Sequence, residues 1–349
     1  MTDNKKPTRR TVTMKDVAKA AGVSMMTVSR AFKTDASVSS ATRDQIRQVA
    51  EDLGYVLDST ASNLRSQRSG FVAVTIPSLN NANFADTVSA LSTALGAAGM
   101  QVLLGYTNYD IREEERLIEQ LLQRKPEAIV VTGGRHTPRA EKLLRGAGIP
   151  VIETWDLPDT PVAHVVGFSN AAAMQPLVAH LAASGRRRIA FIGGDADGDT
   201  RGADRRRGFV QAMEALDLDP TRLIRAGQPP ISMLEGAAAM SRLIADMPDT
   251  EAVVCVSDLS AFGALSECAR RGVRVPEDMA IAGFGAYEIA GVCVPTITTL
   301  NPHPKRIGAR VAELILAQLR EALQREGEPS LERLRVEIAP ELVIGGSTA

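Results

Sequence analysis

Two groups of residues have types and spacing that bear on chemistry. The first is TMKDVAKAAGVSMMTVSR, residues 13–30. Thr13 suits the start of a helix, and Asp16 three residues later places a carboxylate in the first turn, where the helix dipole favours negative charge. Val17, Ala20 and Ala21 recur at helical spacing, Gly22 supplies a permissive backbone for a sharp turn, and Ser24 opens a second helix. Val28 points back to the first helix. That leaves Met25, Met26, Ser29 and Arg30 on the open face, where they can reach the major groove of a DNA duplex. The second group follows the apolar run RIAFIGG and contains Arg201 and Arg205. A guanidinium there can hold a carboxylate through two parallel hydrogen bonds. The RRR run at 205–207 also fits a solvated helix face, and helix geometry sends at least one of the three to water.

Smaller signals lie elsewhere. His136 and Arg139 stand in RHTPR after EAIVVTGG, with Pro138 suited to the first turn of a helix, although a lone surface histidine fits the residues equally well. Trp155, the only tryptophan, sits at a strand end, where it can stack on a sugar face or simply pack in a core. Asp258, after AVVCVSD, is a candidate for contacts to ligand hydroxyls.

These residues need elements to position them. A third amphipathic segment, VSSATRDQIRQVAEDLGY, opens at Ser39 and carries Ile46, Val49, Ala50 and Leu53 at helical spacing, so three helices can share one small core. Beyond residue 70, strand-like runs alternate with helical ones: FVAVTIP, QVLLGYT, EAIVVTGG, IPVIETW and AHVVGFS, then RIAFIGG, LIRAG, AVVCVSD and MAIAGFG. Continuous apolar runs of this kind predict buried parallel strands in two α/β units. Ligands of open α/β sheets bind beyond the carboxyl ends of the strands, which is where Arg201, Arg205, His136, Trp155 and Asp258 fall.

Composition separates the chain into two parts. Residues 1–70 hold 12 Lys and Arg against 7 Asp and Glu, whereas residues 71–349 hold 28 against 34, so only the head is basic. Residues 1–10, with KKPTRR, predict a disordered arm, and LDSTASNLRSQRSG reads as a polar linker. Cys255, Cys268 and Cys293 are odd in number and widely spaced, which fits reduced cysteines in a cytosolic protein. The amino terminus lacks an apolar signal region and no apolar run approaches 18 residues, so neither secretion nor a membrane span is expected. An enzyme is not expected: there is no nucleophile elbow and no metal-ligand cluster, the four histidines are scattered, and FIGGDADGD lacks the spacing of a nucleotide-binding loop.

The head resembles the N-terminal headpiece of the LacI/GalR family of bacterial repressors nearly position for position, through DVAKAAGVS, TVSR, VS-x-x-TR and LGY. The resemblance implies that Met25 and Met26 lead the base-reading positions of a recognition helix, with Arg30 as a third base contact. Thr13, Ser24, Thr27, Ser29 and Ser39 complete the DNA-contact candidates. Two methionines favour thymine methyl groups and base edges over hydrogen-bonded readout. It also implies a linker that folds on operator DNA and inserts Leu64 into the minor groove. This chain departs from the family in having Leu57 where a proline is usual and Ser62 where a basic residue is usual, which puts the strength of that grip in doubt.

The body resembles the periplasmic-binding-protein type of core that the family joins to its headpiece: two similar subdomains, crossed by three strands, closing on a small effector. TGGRHTPR, GIPVIETWD, VGFSN and EDMAIAGFGAYEIA look most like gluconate-type repressors. The likeness places Ser78, Asn83 and Phe84 in the first pocket loop and Arg205 where the family has an effector-binding arginine. Sugar-binding members usually carry an aspartate directly after GF, where this chain has Gly285. Losing that carboxylate removes a repulsion of a few kcal/mol toward an anion at an effective dielectric of about 20 and a separation of about 4 Å.

The expected architecture is therefore an all-α helix-turn-helix headpiece at 11–57, a hinge linker at 58–70, and an α/β core of two parallel-sheet subdomains. The first subdomain is expected over about 71–169 and 301–330, the second over about 170–300 and 331–349. The expected partners are double-stranded operator DNA, a sugar-acid effector such as gluconate or a ketogluconate, and a second copy of the chain, in a cytoplasmic, nucleoid-associated protein without a cofactor. A neutral-sugar or purine effector, a free-standing cytosolic sugar-binding module and an enzyme on this scaffold are the alternatives. RVEIAPELVIGGSTA shows no heptad pattern, which favours a dimer over a coiled-coil tetramer.

Overall fold

The computed structural model describes residues 11–32, 37–57, 68–194, 199–324 and 333–349. The arm at 1–10 and the linker segment 58–67 with Leu64 lie outside the described residues. The chain divides into two compact units, Met1–Arg68 and Ser69–Ala349.

In the first unit, α1 (Met14–Ala20), α2 (Met25–Ala31) and α3 (Ser40–Asp52) form around Val17, Ala18, Ala21, Val28, Ala31, Ile46 and Ala50. Local chemistry starts each helix. The Asp16 carboxylate turns back to accept the Thr13 N–H at 2.9 Å and its hydroxyl at 2.7 Å. Ser24 Oγ accepts the Thr27 N–H at 3.1 Å, and Ser39 Oγ accepts the Thr42 N–H at 3.2 Å. Gly22 follows α1 at φ +68°, in the left-handed region that glycine enters without steric cost. The core is so small that truncating fully buried Ile46 to Ala, at roughly 2–5 kcal/mol, would remove much of what holds three short helices together. Leu53 differs from expectation. It caps α3 rather than continuing it and stays exposed, while Ile46 and Ala50 are buried and Val49 packs beside them.

The second unit contains two six-stranded sheets. The first has the order β11-β5-β4-β3-β1-β2, from β1 (Phe71–Ile76), β2 (Gln101–Tyr106), β3 (Ala128–Thr132), β4 (Val151–Thr154), β5 (His164–Gly167) and β11 (Arg335–Glu337). The second has the order β12-β10-β9-β8-β6-β7, from β6 (Ile189–Gly193), β7 (Leu223–Arg225), β8 (Ala252–Cys255), β9 (Ala280–Phe284), β10 (Thr298–Asn301) and β12 (Glu341–Val343). All pairings are parallel except β10 with β12.

Both faces of the first sheet are covered, which is why its strands read as unbroken apolar runs. Ala73, Ile129 and Val131 pack on one side with Ile118 and Leu121 of α5 (Ile111–Gln123) and Leu144 of α6 (Pro138–Arg145). Val72, Val74 and Val130 face the other side with Leu91 and Leu95 of α4 (Ala82–Ala97) and Val311 and Ile315 of α12 (Pro304–Gln324). The second sheet is flanked by α7 (Met174–Ala183), α8 (Thr200–Ala215), α9 (Met233–Asp246), α10 (Asp258–Arg271) and the short α11 (Glu288–Val292).

The chain passes between sheets three times: after β5, after β10, and between β11 and β12. The last crossing corrects the expected boundary. Arg335–Glu337 pairs with Val165–Gly167, so the segment up to Glu337 belongs to the first subdomain, and the return to the second comes after it rather than before residue 331. All nine strand runs read from the sequence form strands. β10, β11 and β12 escape that reading because they lack a continuous apolar run: Thr298–Asn301 is threonine-rich, and Arg335–Glu337 and Glu341–Val343 carry charged residues.

Candidate functional site

On the headpiece, burial of Val28 against α1 turns α2 so that Met25 and Met26 are 53% and 64% exposed. Arg30 is also exposed, and Thr27 and Ser29 are half-buried beside it. Exposing two large apolar side chains beside a cation on one short helix costs solvation.

In the core, a cavity of about 60 Å³ lies between the carboxyl ends of the two sheets. Its walls come from loops after seven strands. Asn80, Asn81, Asn83 and Phe84 follow β1, Tyr109 follows β2 and Trp155 follows β4. Asp199, Arg201 and Arg205 follow β6, and Pro229 to Ile231 follow β7. Val256, Ser257 and Leu259 follow β8, while Phe284 ends β9 and Tyr287 follows it.

Helix α8 carries the charge. Asp199 Oδ1 caps it by accepting the Gly202 N–H at 3.0 Å. Arg201 is 6% exposed, with its guanidinium carbon 5.6 Å from the centre of the Phe84 ring and 5.9 Å from that of Tyr109. Among the described residues its one hydrogen bond is a long one, from Nη1 to the Thr132 carbonyl at 3.4 Å. Arg205 stacks on Phe284 at 3.6 Å, donates from Nε to Asn170 Oδ1 at 3.0 Å, and donates from Nη1 to the Val256 carbonyl at 3.0 Å. Burial pulls its pKa down to about 10, only partly offset by the charge of Asp199. Among the described residues neither guanidinium is ion-paired with a carboxylate; their partners are carbonyls, an amide and aromatic rings.

The opposite wall is aromatic and amide-rich. The Asn81 side chain lies within hydrogen-bond reach of the phenols of Tyr109 and Tyr287, and burial pushes both phenols up. Trp155 packs edge-on to Phe84 at 5.2 Å and to Phe168 at 5.9 Å. Its backbone sits at φ +67°, and its buried indole N–H has no partner among the described residues. A bulky residue in the left-handed region costs roughly 1–2 kcal/mol, and an unpaired buried donor costs about as much again, so this position stores strain beside the cavity.

The cavity thus brings together Asn83, Phe84, Trp155, Arg201 and Arg205 from the residues singled out in the sequence. It does not bring in five others. Ser78 is buried, and its Oγ accepts the Asn80 N–H at 3.1 Å, shaping the loop instead of lining it. Asp258 is fully buried and accepts the Thr299 hydroxyl at 2.6 Å and the Tyr287 N–H at 2.8 Å; burial raises it to about 6. It supports Tyr287 from behind. Gly285, at φ +129°, lies outside the lining. A Cβ there would come within 2.6 Å of the Tyr287 ring and 2.9 Å of Asn83 Nδ2, so the missing side chain makes room for Tyr287.

Arg139 is on the surface, 55% exposed, holding Glu119 at 2.7 Å and Glu115 at 3.3 Å. His136 is turned inward from the cavity. Nδ1 meets Glu114 at 2.7 Å, and Nε2 lies 3.5 Å from Glu153. Burial opposes its charge, but the two carboxylates outweigh burial and raise the imidazole to about 10. The sequence reading missed Asn80, Asn81, Tyr109, Asp199 and Tyr287. All five stand within six residues of a strand's carboxyl end, so the positional rule located the loops, while the choice within each loop required the fold. Among the described residues no group of His, Cys, Asp and Glu is arranged to hold a metal ion, and no helix is long and apolar enough to cross a membrane.

Residues 13–58 match the family of bacterial regulatory proteins called lacI, and residues 178–348 match the periplasmic binding protein-like domain. The chain is 37% identical over 319 residues to the HTH-type transcriptional regulator GntR of Pseudomonas aeruginosa, covering 91% of this chain and 92% of that protein. It is 33% identical over 307 residues to GntR of Escherichia coli K12, covering 88% and 92%. A crystal structure of a LacI-family transcriptional regulator from Silicibacter pomeroyi superposes with a TM-score of 0.87 at 29% identity, covering 96% of this chain and 99% of that one. With a helix-turn-helix headpiece, a two-sheet core and relatives alike over nearly their whole length, the chain belongs to the LacI family and is a DNA-binding transcriptional regulator, not an enzyme.

Proposed function

We propose that the protein is a homodimeric repressor of a sugar-acid catabolic operon, released from its operator when gluconate or a ketogluconate occupies the core cavity. The observation that carries the ligand class is the pair Arg201 and Arg205: two guanidinium groups line one cavity, and among the described residues their hydrogen-bond partners are neutral. Two guanidinium groups beside the one described lining carboxylate, Asp199, favour an anion, and a guanidinium takes a carboxylate bidentately. Asn80, Asn81, Asp199, Ser257 and the two tyrosines offer donors and acceptors for a polyhydroxyl chain, and Phe84, Trp155 and Phe284 offer apolar faces. The names of the GntR relatives agree with this reading.

Met25, Met26 and Arg30 serve as base contacts in this reading, with Thr13, Ser24, Thr27, Ser29 and Ser39 at the backbone and Leu64 as a minor-groove wedge. Two headpieces read a pseudo-palindromic site. Ligand closes the cleft and so weakens operator binding, and by linkage operator weakens ligand binding by the same factor.

The test is thermal unfolding against sodium gluconate, ketogluconates, neutral hexoses and purines, paired with operator titration at fixed salt. A ligand at 100 times its dissociation constant adds about 2.7 kcal/mol. Stabilisation by sugar acids alone, with loss of operator affinity, is the expected result. Stabilisation by neutral sugars or purines would overturn the ligand assignment and leave the regulator intact. Arg30→Ala is expected to relax sequence preference at a cost of about 1–3 kcal/mol.

A further inference from the structure

Arg201, Asp204, Arg205 and Gly208 fall at i, i+3, i+4 and i+7 along α8, one stripe of one helix. Two members of that stripe line the cavity, and Asp204 lies between them in sequence without lining it. Its carboxylate is 6% exposed and takes two arginines on a single oxygen: Arg135 Nη2 at 2.7 Å and Arg207 Nη1 at 2.8 Å. Arg207 is on the same helix, so that contact survives any rigid motion of the subdomain. Arg135 is in the loop after β3, in the other subdomain, so its contact exists only while the cleft is closed.

We propose that Arg135 and Asp204 form a closure latch across the cleft, positioning the Arg201 and Arg205 pair and setting how readily the cavity closes on an anionic ligand. Arg207 acts as the resting partner. When the cleft opens, Asp204 keeps one cation, so opening never leaves it unpaired, and the latch can be released at modest cost. A second observation supports the same role. Asp156, in the first subdomain, is buried and raised first by that burial and then by the negative charge of Asp204. Without Arg135, closure brings two buried carboxylates toward each other with less compensation.

The regulation of the cavity by this latch rests on the sugar-acid reading, but the latch itself is testable without ligand. Trp155 is the only tryptophan, lines the cavity and is 2% exposed, so its fluorescence reports the cleft. In the full-length protein without ligand, Arg135→Ala and Asp204→Asn are expected to raise acrylamide quenching of Trp155 and red-shift its emission, with far-UV circular dichroism unchanged. The double variant should be no worse than either single one, because both break the same contact. Arg135→Lys should recover most of the wild-type signal. With sodium gluconate as the probe, Arg135→Ala should weaken binding about two- to fivefold, the range for a pair half exposed on one side.

Wild-type quenching in Arg135→Ala overturns the latch. If wild-type protein binds gluconate or a ketogluconate, and neutral hexoses and purines do not bind, the ligand reading stands whatever the quenching shows. If no sugar acid binds, that reading falls, and Trp155 quenching still decides the latch.

Discussion

Two sites in the core hold enclosed cations, and they are built in opposite ways. His136 is caught between Glu114 and Glu153, both in the first subdomain, and it does not line the cavity proposed to take ligand. Arg201 and Arg205 sit between the subdomains against rings, carbonyls and an amide. The electrostatic signatures follow: the carboxylates raise His136 to about 10, while burial lowers Arg205 to about 10. A buried cation held between carboxylates holds a fold together, whereas two cations beside the single described carboxylate of Asp199 leave room for a ligand's charge. From sequence alone the two looked alike, each a basic cluster just beyond a strand.

The contrast can be broken most forcefully at His136. His136→Ala leaves Glu114 and Glu153 buried without their cation, and an expected loss of about 3–5 kcal/mol in urea unfolding at pH 7 would confirm a structural role. An unchanged midpoint would remove the distinction. The pH dependence sharpens the same point. A folded-state pKa raised from 6.5 to about 10 gives stability that is fully present below about pH 6.5 and lost as pH rises through about 10. Unfolding free energy should therefore fall between pH 7 and 10, by up to roughly 4 kcal/mol, and His136→Gln should flatten that slope.

Arg201→Ala is expected to do the reverse. Gluconate affinity measured by calorimetry should drop about a hundredfold, near 2.7 kcal/mol, while stability without ligand shifts by less than about 1 kcal/mol. A large loss of stability with intact binding would place Arg201 with His136. The smallest effect is expected at Arg139, whose exposed pairs with Glu115 and Glu119 are worth little. Arg139→Ala should change gluconate affinity and urea stability by less than about 0.5 kcal/mol each.

By itself the sequence determined everything carried by short-range chemistry. The caps at Thr13, Ser24 and Ser39, the turn at Gly22 and the apolar spacing of Val17 and Val28 are contiguous, so the three helices and the exposure of Met25, Met26 and Arg30 were legible. The nine mainly apolar runs specified nine parallel strands, because strands covered on both faces are built chiefly from apolar residues, although the edge strands β2 and β7 are partly exposed. Knowing that ligand loops follow strands also located the right segments. Only the tertiary structure decided which side chain in each loop faces the cavity. Ser78 and Asp258 turned away to satisfy backbone and hydroxyl partners, Gly285 gave its space to Tyr287, and His136 went inward to Glu114 and Glu153 rather than across the cleft. The choices at Asp258 and His136 depend on partners tens of residues away, Thr299 for the first and Glu114 and Glu153 for the second. A polar residue at a strand end is drawn to whichever counter-charge or hydrogen-bond partner the packing brings nearest, and sequence spacing does not encode that distance.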